Sequence, residues 1–168
     1  IITMATLATA NVLARAQKTA RTCLGQVARE ADVEIQLQSV AELLMRYSND
    51  RKVAMIAPLY AALEARKAEL QSVATMELSI RQASDPSGAI GRMRDARVDL
   101  VAHDSLTEHC IRLDKEISAA VQRAIDALKG GIESDSVSEI SETLERYRSD
   151  RSSVSLAWEA LDRRRRNL

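Results

Sequence analysis

Phenylalanine is absent from the 168 residues, and the other aromatics amount to one Trp and three Tyr. A thick globular core usually draws on aromatic bulk. A thin core between long helices fills with Leu, Ile, Val and Ala, so the scarcity points to a slender bundle. Helix breakers are few as well, five Gly and two Pro, and they cluster, which leaves long stretches without any. Two cysteines, Cys23 and Cys110, are too few for a disulfide framework. Both fall on apolar stripes near mid-helix and read as buried thiols of a cytoplasmic protein; a bridge would need their Cα atoms within ~7 Å. Charge of one sign is also missing: 24 basic residues face 24 acidic ones, which argues against bulk attraction to nucleic acid. No apolar run approaches the ~20 residues of a membrane span. The opening, Ile1-Ile-Thr-Met-Ala-Thr-Leu7, lacks the basic region of a signal peptide. A chain that starts on Ile rather than Met reads as a fragment of something larger.

What is present is an ordered composition, 46% hydrophobic and 29% charged. The clearest pattern lies at the end. Val137, Ile140, Leu144, Tyr147, Arg151, Val154, Trp158, Leu161, Arg165 and Leu168 follow steps of three and four, an unbroken heptad stripe. It predicts one helix over 136–168, with Val137, Ile140, Leu144, Tyr147, Val154, Trp158, Leu161 and Leu168 as its packing seam. Ser136 with Glu139 makes a capping box at its start. An echo of this region stands earlier. Glu42-Leu-Leu-Met-Arg-Tyr-Ser-Asn-Asp-Arg51 resembles Glu142-Thr-Leu-Glu-Arg-Tyr-Arg-Ser-Asp-Arg151, and Leu59-Tyr-Ala-Ala-Leu-Glu-Ala-Arg66 resembles Leu156-Ala-Trp-Glu-Ala-Leu-Asp-Arg163, best with a two-residue gap.

The rest of the chain also reads as helix. Over 4–47, Leu7, Val12, Leu13, Ala16, Ala20, Leu24, Val27 and Ala31 form a stripe that changes phase near 30–33 and continues through Val33, Leu37, Val40, Leu44 and Tyr47. The phase change is also compatible with a turn between two shorter helices. Ser48-Asn49-Asp50 is a candidate break, whereas the matching Arg148-Ser149-Asp150 lies where the final stripe runs straight through. Pro58 is expected to kink a helix interior. A helix over 53–83 ends at Ser84-Asp85-Pro86-Ser87-Gly88, where Asp85 is expected to cap the next helix with Pro86 at its first position. That helix is expected over 86–129, ~65 Å long at ~1.5 Å per residue, and closed by Gly130-Gly131. The expectation is an all-α, elongated antiparallel four-helix bundle or coiled coil, its helices roughly 30–45 residues long with short turns. It comprises one module of two hairpins, about 4–84 and 86–168, whose echo fits either a duplication or the chance similarity common between coiled-coil helices.

Motifs that carry chemistry are sparse. His103 and His109, with Asp99, Asp104, Glu108 and Cys110 nearby, offer Asp99 and His103 at i,i+4. A metal site would need further ligands from a facing helix, and no other His exists. Gly88-Ala-Ile-Gly91 has a phosphate-loop look but lacks both the Gly-Lys-Ser/Thr and a preceding strand. No Gly-x-Ser-x-Gly elbow is present. Arg163, Arg164, Arg165 and Arg166 form the one basic run: a candidate contact for an anion or acidic partner, or cations that complement a helix C-terminus. Val154, Trp158, Leu161, Arg165 and Leu168 resemble the Trp-bearing third helix of spectrin-type repeats. The repeat's first-helix Trp has no counterpart here, so the likeness is read as a shared solution to helical packing. The functional expectation is a non-enzymatic association or spacing module with no cofactor or metal, meeting a protein partner or a second copy of itself. The alternative is an extracytoplasmic four-helix ligand-sensing domain of a bacterial transmembrane receptor.

Overall fold

The computed structural model describes residues 32–168, together with 11, 14, 15, 17–19, 21 and 22, which are helical. Cys23 and the apolar positions expected from Leu7 to Ala31 lie outside the described residues. Among the described residues every regular element is helical and none is a strand, so the protein is an all-α helical bundle. No helix there is long and apolar enough to cross a membrane. The chain divides into two compact units, Ile1–Ala74 and Thr75–Leu168.

In the first unit, α1 spans Val33–Arg46. It starts where the apolar stripe changes phase, so the continuous helix expected over 4–47 is instead begun anew. Asp32 is extended and its carboxylate accepts the N–H groups of Glu34 and Ile35 at 2.9 and 3.4 Å, a side-chain cap that fixes the start. Helix α2 spans Ala57–Arg81. Between them Ser48–Asp50 forms a 3-10 turn, as the turn-forming residues led us to expect. Pro58 is the second residue of α2 and kinks nothing, because a missing N–H is harmless in a first turn. Val40, Leu43, Leu44, Leu63 and Leu70 form this unit's core, flanked by Val33, Leu37, Tyr47, Leu59 and Tyr60.

The second unit holds the end of α2 and four further helices: α3, Ala89–Val101; α4, Thr107–Gly131; α5, Val137–Arg146; and α6, Ser155–Arg166. Two long helices expected from periodicity are therefore interrupted. The helix read over 86–129 breaks at 102–106, where His103 is extended and Asp104–Leu106 makes a 3-10 turn. Leu106 is buried beneath that turn, so the apolar rhythm continues through a bend. Helices α3 and α4 pack on each other, and α4 packs on both α5 and α6. Arg97 of α3 grips Asp114 of α4 through Nε and Nη2, and that carboxylate's hydrogen bond and charge push the guanidinium pKa higher still.

The helix read over 136–168 breaks at 147–154, and the reason lies in α3. Asp150 is 2% exposed, and its two carboxylate oxygens accept the N–H groups of Ile90 (3.1 Å) and Gly91 (2.9 Å). A side chain from 60 residues away thus caps α3, and the expected cap, Asp85, accepts only from Ser87 in the preceding turn. Gly88 stands at the N-cap position with φ 69°, a conformation that favours glycine. Arg92 Nη1 and Nη2 donate to the carbonyls of Ser87, Gln82 and Asp85 and pin that turn.

At the other end, α4 runs through Gly130 and Gly131 without a left-handed residue, so the glycines do not end the helix as expected. A Cβ on Gly131 would meet the Leu161 side chain at 3.1 Å, so its role is close approach to α6. Ser136 does cap α5, accepting the Glu139 N–H at 3.3 Å. The return half of the capping box passes through Ser134, which accepts the Ser136 N–H and donates to Glu139.

Removing the Asp150 carboxylate strands two N–H groups in the interior. Asp150→Ala is expected to cost roughly 2–3 kcal/mol, and the exposed Asp50→Ala less than about 0.5 kcal/mol, in chemical denaturation. Equal effects from the two changes contradict the capping role.

Candidate functional site

The seam residues of the last stretch separate by position. Ile140, Leu144, Tyr147, Val154 and Leu161 are buried, Trp158 is half-buried, and Val137 and Leu168, at the two ends, are 48% and 49% exposed. Trp158 spans the break: its indole N–H donates to the Leu144 carbonyl of α5 at 3.2 Å. Arg151 lies over the ring at 4.2 Å and reaches Glu159 at 3.8 Å.

The four arginines are not a uniform patch. Arg165 and Arg166 both close on Asp162, at 2.6 and 2.8 Å, and Arg164 pairs with Asp135 at 2.7 Å. Asp162 is itself buried. Arg163 is exposed and has no ion pair among the described residues. Three of the four cations are therefore spent inside the fold, at the C-terminal end of α6 where a helix dipole also favours them.

Beside them, α4 and α6 leave an apolar trough of about 450 Å³ lined by Ile125, Lys129, Ile132, Val154, Leu156, Ala157 and Ala160, with Ser153 and Ser155 at its edge. Leu156 is 85% exposed, the largest value among the bulky apolar residues described. Leu156, Ala160 and Arg163 follow each other at i, i+4 and i+7, so one face of α6 carries an exposed Leu, a small residue and an unpaired cation. Lys129, also without an ion pair among the described residues, lies on the α4 side. Sequence reasoning missed this site. Its signal was Leu156, a large apolar residue off the heptad stripe.

A second concavity, also about 450 Å³, opens where the end of α2, the start of α3 and α4 meet. Ala83, Ala89, Ala120 and Ala124 leave the room; Arg81, Glu116, Arg123 and Tyr147 supply the polar wall. Glu116 and Arg123 stand two turns apart on α4, and neither is paired among the described residues.

The other sequence candidates are dispersed or occupied. His103 lies beyond the end of α3, which removes its i,i+4 relation to Asp99. Among the described residues no three His, Cys, Asp or Glu side chains gather as a metal would need. Cys110 is a half-buried free thiol. The N–H groups of Ile90 and Gly91, which a phosphate would seek, are taken by Asp150.

Comparison of the chain with protein families, with curated proteins and with solved structures finds no match.

The pairing pattern separates the arginines by role. Asp162→Ala is expected to cost roughly 1–2 kcal/mol by leaving Arg165 and Arg166 unpaired, whereas Arg163→Ser shifts stability by less than about 0.5 kcal/mol. Thermal denaturation of the two variants measures the difference, and a destabilising Arg163→Ser contradicts the assignment.

Proposed function

We propose that the protein is a non-enzymatic association module whose second unit receives an amphipathic helix of a partner protein in the trough between α4 and α6. The observation that carries this reading is Leu156, 85% exposed beside Ile125, Ile132, Ala157 and Ala160. Leaving a leucine in water forgoes about 1.5–3 kcal/mol that burial would return. Partner helices dock in apolar grooves by presenting anchors at i, i+3, i+4 and i+7. The unpaired Lys129 and Arg163 flank the trough with positive charge, so the fitting helix carries Glu or Asp beside its apolar face.

Fluorescence anisotropy with two labelled amphipathic peptides tests this. They share one Leu/Ala face and differ only in Glu or Lys flanks. The Glu-flanked peptide is expected to bind, weakening with salt, and Leu156→Asp is expected to reduce its affinity about tenfold or more. Equal binding of both peptides, or binding indifferent to Leu156→Asp, overturns the reading. A dimer in light scattering that Leu156→Asp dissolves would instead assign the trough to a second copy.

A second reading, a ligand-sensing helical domain, draws its support from the cleft walled by Arg81, Glu116 and Arg123. Glu116 and Arg123, charges of opposite sign that are unpaired among the described residues, suit a small zwitterion such as an α-amino acid. On this reading a panel of amino acids raises the melting temperature for at least one member, and Arg123→Ala with Glu116→Gln removes the rise. A flat panel ends it.

A further inference from the structure

The two echoed segments share one backbone design. Tyr47 and Tyr147 close their helices at nearly the same angles, φ −103°, ψ 14° and φ −103°, ψ 11°. The Tyr47 N–H donates to Leu43 and the Tyr147 N–H to Thr143; Asp50 donates back to Tyr47 at 3.0 Å and Asp150 to Tyr147 at 3.2 Å; Val53 donates to Asp50 at 2.9 Å and Ser153 to Asp150 at 2.8 Å. Past the turn the ladders match again. Ile56 donates to Val53 and Val154 to Arg151, and Tyr60 donates to Ile56 and Trp158 to Val154. The two-residue gap seen in the sequence is absorbed between Asp50 and Ile56. The buried residues correspond too: Leu44 with Leu144, Ile56 with Val154, Leu63 with Leu161.

One position departs from the pattern in its surroundings. Asp150 is buried and holds the first turn of α3. Asp50 is exposed and makes no side-chain hydrogen bond or ion pair to a described residue.

We propose that the turn at 47–50 is a receptor for the N-terminus of a partner α-helix, filled as its copy at 147–150 is filled by α3. The fitting helix opens on small residues and brings no capping side chain. In α3 a Cβ on Gly88 would lie 3.7 Å from Ser149, and one on Gly91 would lie 3.5 Å from Asp150, so the approach has little room for larger groups. The Asp50 carboxylate answers the positive end of the helix dipole and two bare N–H groups. The occupant is not the α3 of a second copy, which already has its own Asp150.

The test uses a side-chain-stapled peptide of residues 86–101, which carries the required first turn, titrated into the ¹⁵N-labelled full chain. Saturable shifts at 47–53 are expected, with about tenfold weaker binding to Asp50→Asn and no binding of a peptide carrying Gly91→Leu. Asp50→Asn should melt as the parent does, and Leu156→Asp should leave this binding intact. No saturable shift at 47–53 overturns the proposal. So does an affinity unchanged by Asp50→Asn, or shifts confined to α3 and Asp150, the mark of exchange with the native helix.

Discussion

The Asp150 carboxylate lies out of water with two backbone N–H groups of α3 pointing at it, and much of the second unit follows from that contact. A buried carboxylate is costly unless its oxygens are hydrogen-bonded, and a helix start without a cap leaves its first N–H groups unmet. Each problem solves the other. Ile90 and Gly91 bond to Asp150, Arg92 bonds to the Gly88 carbonyl and Ala89 to Pro86, so the whole first turn of α3 is satisfied. To bring Asp150 there, the backbone leaves α-helical geometry after Arg146, makes a 3-10 turn at Arg151–Ser153 and resumes the α-helix only at Ser155. The helical hydrogen bonds given up between those points are replaced by the tight turns of Asp150 to Tyr147 and Ser153 to Asp150.

The break is held open by the residues around it. Val154 and Tyr147 are buried on either side, so the turn is anchored by apolar contacts rather than left as a surface loop. Trp158 adds the polar tie: its N–H takes the Leu144 carbonyl, one of the orphan acceptors that the end of α5 creates. Arg151 covers the ring, so the only tryptophan is half-buried between a helix end and a guanidinium. In this fold the scarce aromatic residues sit at helix breaks. Tyr47 and Tyr147 are the caps after α1 and α5, and Tyr60 and Trp158 lie in the first turns of the helices that follow.

These breaks mark the limit of what periodicity could reveal. Steps of three and four through Tyr147, Arg151, Val154 and Trp158 are what a straight heptad helix shows. They are equally what a helix–turn–helix shows when the turn is buried on the same side. Leu106 repeats the ambiguity between α3 and α4, because a buried turn residue keeps the rhythm alive. The class of fold was therefore legible, as were Ile140, Leu144, Tyr147, Val154 and Leu161 as buried positions, whereas Val137 and Leu168 are about half exposed and the helix lengths were not legible. A better signal was the echo itself: Ser48-Asn49-Asp50 read as a turn, and Arg148-Ser149-Asp150 carries the same kind of residues. Caps donated from elsewhere in the chain leave no local mark, which is why Asp85 looked like the cap of α3 and Asp150 did not. The trough was hidden for a related reason. A heptad reading sorts residues into seam and surface, and Leu156 counts as surface there although it is large and apolar.

The same logic bears on where a partner can act. Net charge is zero, and three of the four clustered arginines are bound to Asp162 and Asp135. A basic run that looked like the recognition element thus serves first to neutralise a buried carboxylate and a helix end. What it leaves for the outside is one guanidinium, Arg163, in line with Leu156 and Ala160. A single exposed cation beside an apolar strip steers and orients more than it binds, whereas affinity at protein interfaces concentrates in the few side chains that become fully desolvated. On the association reading proposed above, the energetic centre would therefore lie with Leu156 and the α4 residues facing it, and Arg163 would set only its polarity.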